Sequence, residues 1–177
     1  MFYNAQYNQY VTEGTQFTLG DVTYPPQWLN QSTPEQKAAI GLVEVVATNS
    51  PADQTYYWVS ETLNGPELTY TNTPKDLTSV KTNAVNQVNS TAYSILFPTD
   101  WMVVKAFETS TAVPTAWNSW RQSIRNTSTT TVNAIEGATD VDAVATVMSS
   151  IAWPKDPDQV LAEEAQAAQS AAAEVTQ

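Results

Sequence analysis

The sequence predicts an α+β protein. A small, mainly β N-terminal module is followed by a helical hairpin or small bundle and an Ala/Glu-rich C-terminal helix. Three observations carry this. Short β-type runs punctuated by Gly and Pro fill residues 1–72. From about residue 74, apolar residues recur at steps of three and four. Beyond Trp153-Pro154 the chain turns to Ala, Gln and Glu, which are good helix formers with a thin apolar face. The predicted divisions are 1–72, 73–152 and 153–177. At 177 residues with 42 % hydrophobic content the chain is long enough to bury a core without disulfides or metals.

In the first module, Tyr10-Val11-Thr12 and Gln16-Phe17-Thr18-Leu19 read as strands separated by Gly14 and ended by Gly20-Asp21. Tyr24 to Leu29 should be extended around Pro25 and Pro26. Thr33 is an N-cap with Pro34 at the first helical position and Gln36 at capping-box spacing, and Gly41 stops this short helix. Leu42 to Val46 reads as a strand. Tyr56–Thr62 and Glu67–Thr71 flank Asn64-Gly65, a hairpin signal that Pro66 weakens by removing a ladder donor.

The helical part opens at Thr73 as N-cap and Pro74 as first residue. Leu77, Val80, Ala84, Val88, Ala92 and Ile95 form an apolar stripe lasting to Phe97, where Pro98 stops the helix. Thr99 can cap a shorter helix through Trp101, Val104 and Glu108. Pro114 opens another, with Trp117, Trp120, Ile124, Val132 and Ile135 on one face and Gly137 at its end. Thr139 caps a last helix through Val141, Val144 and Met148. The expected core is Leu77, Val80, Val88, Ile95, Trp101, Trp120, Ile124 and Met148. The tail after Pro157 should be helical only if held, by the body or by another chain, through Val160, Leu161 and Val175. Its acids Glu163, Glu164 and Glu174 then face solvent or a basic patch.

Composition removes much chemistry. The chain has no Cys and no His, which excludes thiol nucleophiles, thiolate metal sites and every Ser-His or Cys-His mechanism. No nucleophile elbow, phosphate-binding Gly-rich loop or EF-hand is present. The pairs Asp140/Asp142 and Asp156/Asp158 read as capping and solubilising acids rather than metal ligands. The expectation is a non-enzymatic protein with no cofactor and no metal. The net charge of −11 and pI near 4.1 argue against nucleic acid or an anionic membrane as partner. The first ten residues lack a basic and apolar leader pattern, and the longest run of small and apolar residues, 38–43, is far too short to span a bilayer, so a soluble product made in a cytoplasm is expected. Residues 1–70 carry −6 and residues 136–177 carry −7. The middle, with Lys75, Lys81, Lys105, Arg121 and Arg125 against Asp76, Asp100 and Glu108, carries +2. It can pack on its own acidic flanks or face an acidic partner.

What remains is aromatic surface chemistry, with six Trp and eight Tyr. Trp101, Trp117 and Trp120 read as helical core. Trp28, Tyr56, Tyr57 and Trp58 read as core or as contact residues. A sugar-binding module built on these aromatics is a further possibility.

The set Pro98-Thr99-Asp100-Trp101, then Glu108-Thr109 and Pro114, then Trp117-Asn118-Ser119-Trp120-Arg121-Gln122-Ser123-Ile124-Arg125, closing on Trp153-Pro154, resembles bacteriophage tail-fibre assembly chaperones and related phage tail assembly chaperone domains. The resemblance covers about residues 74–157. The segment from Gly20 to Leu29 is similar to the front modules of such proteins. The resemblance implies a protein that binds a tail-fibre or receptor-binding protein and promotes its trimerisation or attachment in the host cytoplasm. Asp100, Trp101, Trp117, Trp120, Ile124 and Trp153 are then the structural core of the motif, with Asp100 capping the turn after Pro98. The candidate contact residues, taken together, are the aromatics Trp28, Tyr56, Tyr57 and Trp58, the pair Arg121 and Arg125, and Val160, Leu161 and Val175 of the tail. Partners would be a tail-fibre or other tail protein, or further copies of this chain. The tail beyond Pro157 is longer than the family pattern. It suits a docking helix in a particle, and so the alternative of a permanent tail or baseplate adaptor in the virion.

Overall fold

In the computed structural model the chain divides after Pro74 into two units. The structure describes residues 1–175, with side chains described through residue 170. The fold is α+β, with strands in the first unit and long helices in the second.

The first unit pairs β1 (Phe2–Asn4) between β2 (Gln9–Val11) and β5 (Leu42–Glu44), all antiparallel. A small hairpin, β3 (Phe17–Leu19) and β4 (Val22–Tyr24), turns at Gly20, whose φ of +59° is open to glycine. Alternation along these strands places Phe2, Val11, Phe17, Leu19 and Leu42 in one core with Leu29, the latter fully buried. Leu29 lies on α1 (Trp28–Gln31), a single helical turn. The expected extension ends at Pro26, because the Trp28 N–H donates back to the Pro25 carbonyl at 3.0 Å and closes a turn. α2 (Pro34–Ala39) has the predicted capping box, with Thr33 and Gln36 bonded in both directions.

The second sheet of this unit has the order β6-β8-β7, from β6 (Val46–Ala47), β7 (Tyr57–Asn64) and β8 (Glu67–Pro74). The hairpin turn is Gly65-Pro66, one residue later than Asn64-Gly65. Asn64 pairs with Glu67, and Gly65 takes φ +57°. Proline cannot adopt the positive φ that a I′ turn needs at its second central position, which leaves II′. Inside the turn, Pro66 costs no ladder bond. Residues 46–52 run along β8 and cover its edge. The Asn49 side-chain amide bonds both the N–H and the carbonyl of Tyr70, each at 2.8 Å, as a neighbouring strand would.

The second unit is built on α3 (Leu77–Leu96), α5 (Thr115–Gly137) and α6 (Val141–Ser149), which pack pairwise. Val80, Ala84, Val88 and Ala92 of α3 face Trp120, Ile124 and Ile135 of α5 and Val141 and Val144 of α6. Leu77, Ile95 and Met148 of the expected core are half-buried. Two predicted caps move by a residue or more. β8 runs through Pro74, so Asp76 rather than Thr73 caps α3, with the Ser79 N–H on its carboxylate at 2.8 Å. Asp140 rather than Thr139 caps α6. Between α3 and α5 lie a 3-10 turn (Phe97–Thr99) and α4 (Asp100–Thr109). α7 (Pro157–Val175) follows the Trp153-Pro154 segment, and its start is capped by Asp156, which accepts the Gln159 N–H at 2.8 Å. No helix among the described residues is long and apolar enough to cross a membrane.

Candidate functional site

The site is built where α3 ends. Tyr93 and Phe97 are one helical turn apart, so their rings meet, with centroids 5.5 Å apart. Both stand in solvent, 63 % and 60 % exposed. Pro98 cannot continue the helix, and the chain re-starts as α4. α4 has no buried residue, yet six of its ten residues are apolar: Trp101, Met102, Val103, Val104, Ala106 and Phe107. They surround the helix axis, so no single neighbour could cover them all. Trp101 is 57 % exposed, Val104 55 % and Phe107 90 %. Exposed aromatics at this density mark contact surfaces more often than chance placement does.

An arginine fixes this surface to the bundle. Arg121 on α5 is 4 % exposed. Its Nη1 donates to the Leu96 carbonyl at 3.0 Å and to the Thr99 hydroxyl, and its Nη2 donates to Asp100 Oδ1 at 2.6 Å. The Thr99 hydroxyl donates to the same Leu96 carbonyl at 2.7 Å. Arg121 thus closes the turn between α3 and α4, and the guanidinium fork suits three acceptors converging on one plane. Its assignment to a partner interface is corrected by this burial. Thr99 occupies the N-cap position of α4 without a capping bond, and Asp100 spends its carboxylate on Arg121 rather than on a backbone cap.

Below the turn sits the aromatic packing expected of the motif. Trp120 is buried, and its indole N–H donates to the Pro154 carbonyl at 3.0 Å, tying the Trp153-Pro154 segment to α5. Trp117 meets Trp120 edge-on at 5.4 Å, and Trp117 and Trp153 pack half-buried on the cluster of Ala92, Trp120 and Ile124. Trp101 departs from this set. It projects from α4, with Lys105 Nζ 5.8 Å from its ring, and belongs to the surface. A groove of about 190 Å³ separates α4 from the connection to α5.

The other expected contact residues are scattered. Trp28 packs against the N-terminal core, 4.8 Å from Tyr24 and 6.0 Å from Phe17, which makes it a structural residue. Tyr56 and Tyr57 are half-buried at the start of β7, and burial followed by the Asp53 charge pushes the Tyr56 hydroxyl pKa up. Trp58 is 67 % exposed. Arg125 is exposed, one turn beyond Arg121. Val160 and Leu161 are 39 % and 63 % exposed, and α7 meets α5 of its own chain. Glu163 pairs with Lys155 at 2.6 Å. The Val175 side chain lies outside the described residues. Sequence reading missed Tyr93, Val103 and Phe107. The available signal was the apolar residues on every side of a ten-residue helix.

Comparison with protein-family models, with curated proteins and with solved structures finds no match for this chain.

Proposed function

We propose that this is a non-enzymatic phage tail-associated protein, which binds a tail-fibre or receptor-binding protein through the exposed apolar surface of α4 and promotes its assembly or attachment. The observation that carries the proposal is the exposure of Trp101, Val104 and Phe107 on a helix with no buried residue. The Pro98 to Trp153 motif set, which resembles tail-fibre assembly chaperones, supplies the identity of the partner class. Such binding works by burial of apolar surface and needs no covalent step. Purified protein mixed with a phage tail-fibre protein that it serves should co-migrate in size-exclusion chromatography, and Phe107→Ser with Trp101→Ser should abolish co-migration. Retention of binding by that double variant would remove α4 from the interface. The second reading, a permanent tail or baseplate adaptor, is favoured by α7, whose residues 158–170 are exposed. Mass spectrometry of purified particles separates the two readings. A fixed copy number indicates the adaptor, and absence indicates the transient chaperone.

A further inference from the structure

A groove and an exposed apolar helix position both stand open in the helical unit. The first is the groove beside α4, about 190 Å³, lined by Trp101, Met102, Lys105, Val113, Pro114 and Trp117. Cavities of about 150 Å³ hold a ring-sized apolar guest, so this groove accommodates one apolar side chain. Among the described residues that line it, Lys105 is the one that carries a charge. That ammonium lies by the Trp101 ring, and the described ion pairs, Arg121–Asp100 and Lys155–Glu163, do not include it. The second is on α7. Leu161 is 63 % exposed. Asp158 and Glu164, three residues before and after it, share its helical face and carry carboxylates outside those two ion pairs. The Lys155–Glu163 pair uses a different position of the helix, and among the described residues none of α7 lines the groove beside α4.

We propose that the groove beside α4 receives Leu161 from a second copy of this chain. Asp158 and Glu164 of that copy flank Lys105, and the exchange is reciprocal. Each copy offers one groove and one knob, so two equal contacts close a two-fold dimer. The apolar knob supplies burial, and the two carboxylates around one ammonium set the register. A contact of one short helix face per copy falls at the small end of interface sizes, below about 1,200 Å², so the association is weak and salt-sensitive.

Sedimentation equilibrium on the full chain, from about 10 µM to about 1 mM, tests this directly. The expected mass rises with concentration from 19.4 kDa towards twice that value, and added salt shifts the rise to higher concentration. Leu161→Asp and Lys105→Glu each remove the rise, and Lys105→Glu combined with Asp158→Lys and Glu164→Lys restores it. All four positions are exposed, so far-UV circular dichroism should be unchanged. An equimolar mixture of the Leu161→Asp and Lys105→Glu chains retains one intact groove and one intact knob and should form a weaker heterodimer. A chain that stays monomeric throughout, or a dimer indifferent to both single substitutions, overturns the proposal. A monomer that still captures the fibre protein overturns this inference alone and leaves the fibre-binding reading standing.

Discussion

The two partners of the Arg121–Asp100 ion pair should respond very differently to removal. Arg121 is 5 % exposed at its side chain and Asp100 is 49 % exposed, so only the arginine is committed to the interior. Asp100→Ala leaves a guanidinium that cannot lose its proton, buried against two neutral acceptors, the Leu96 carbonyl and the Thr99 hydroxyl. Breaking a buried pair from one side costs about 3–5 kcal/mol, and the two remaining acceptors bring the expected loss to roughly 2–4 kcal/mol. Arg121→Met removes the charge and keeps an unbranched chain in its place. Asp100 then turns to water, and the Leu96 carbonyl keeps its bond from Thr99 at 2.7 Å, so no buried acceptor is orphaned. Its expected cost is roughly 1–2 kcal/mol. In the double variant Asp100→Ala should add almost nothing, giving a coupling of roughly 2–4 kcal/mol in a double-mutant cycle. Urea unfolding followed by far-UV circular dichroism, which weights the helices of this unit, supplies the four midpoints. If Asp100→Ala costs no more than Arg121→Met, the guanidinium is solvated and does not latch α4 to the bundle.

Trp120→Ala should lower unfolding stability by roughly 3–5 kcal/mol, and Trp120→Phe by about 1–3 kcal/mol through the orphaned Pro154 carbonyl, both read from denaturant midpoints. Phe107→Ser, at a site 90 % exposed, should shift the same midpoint by less than about 0.5 kcal/mol while weakening capture of the fibre protein. Gly65→Ala places an L side chain at φ +57° and should cost about 1–2 kcal/mol in the thermal unfolding of the N-terminal unit. The Ser79 N–H, and then its hydroxyl, hold the Asp76 carboxyl below its usual pKa, so that contribution is present above the unfolded value and lost as pH falls through the folded one. Asp76→Asn should therefore flatten the acid limb of the melting profile below about pH 4.

The periodic helices were legible because burial is one-sided. Val80, Ala84, Val88 and Ala92 recur at steps of four and are all buried, and the Gly/Pro punctuation around them marks where each helix must end. Local capping chemistry was legible where one arrangement satisfies both partners, as in the Thr33–Gln36 box. It misled where neighbouring residues compete. Thr73-Pro74 and Asp76 all offer helix starts, and pairing of Pro74 with Tyr57 in the hairpin decides for Asp76. The first strand, Phe2–Asn4, is too short to carry an alternation of its own. It is fixed by pairing on both sides with Val11 to Gln9 and with Glu44 to Leu42, partners up to about forty residues away in sequence.

The site was least legible because its residues obey the same rule as the core. Trp101 and Trp120 both sit on helices rich in apolar residues, yet one is surface and the other interior. The difference lies in what each helix can reach. α5 runs 23 residues between α3 and α6 and has two helices to bury against. α4 is ten residues long, follows a proline-enforced turn, and is joined to the bundle at its first residues through Arg121. Its apolar side chains therefore have the composition of a core without the neighbours of one. A buried arginine is costly to desolvate, and an all-apolar contact at that turn would be at least as stable. What the guanidinium adds is direction: three acceptors on Leu96, Thr99 and Asp100 fix the angle at which α4 leaves α3. An exposed apolar helix held at one defined angle is pre-organised for a partner, since less freedom remains to be lost on binding. The same helix on a loose hinge would instead collapse onto whatever apolar surface its own chain offered. Arg121→Met should thus weaken fibre capture by more than its modest effect on stability, and equal losses in the two measurements would refute the link.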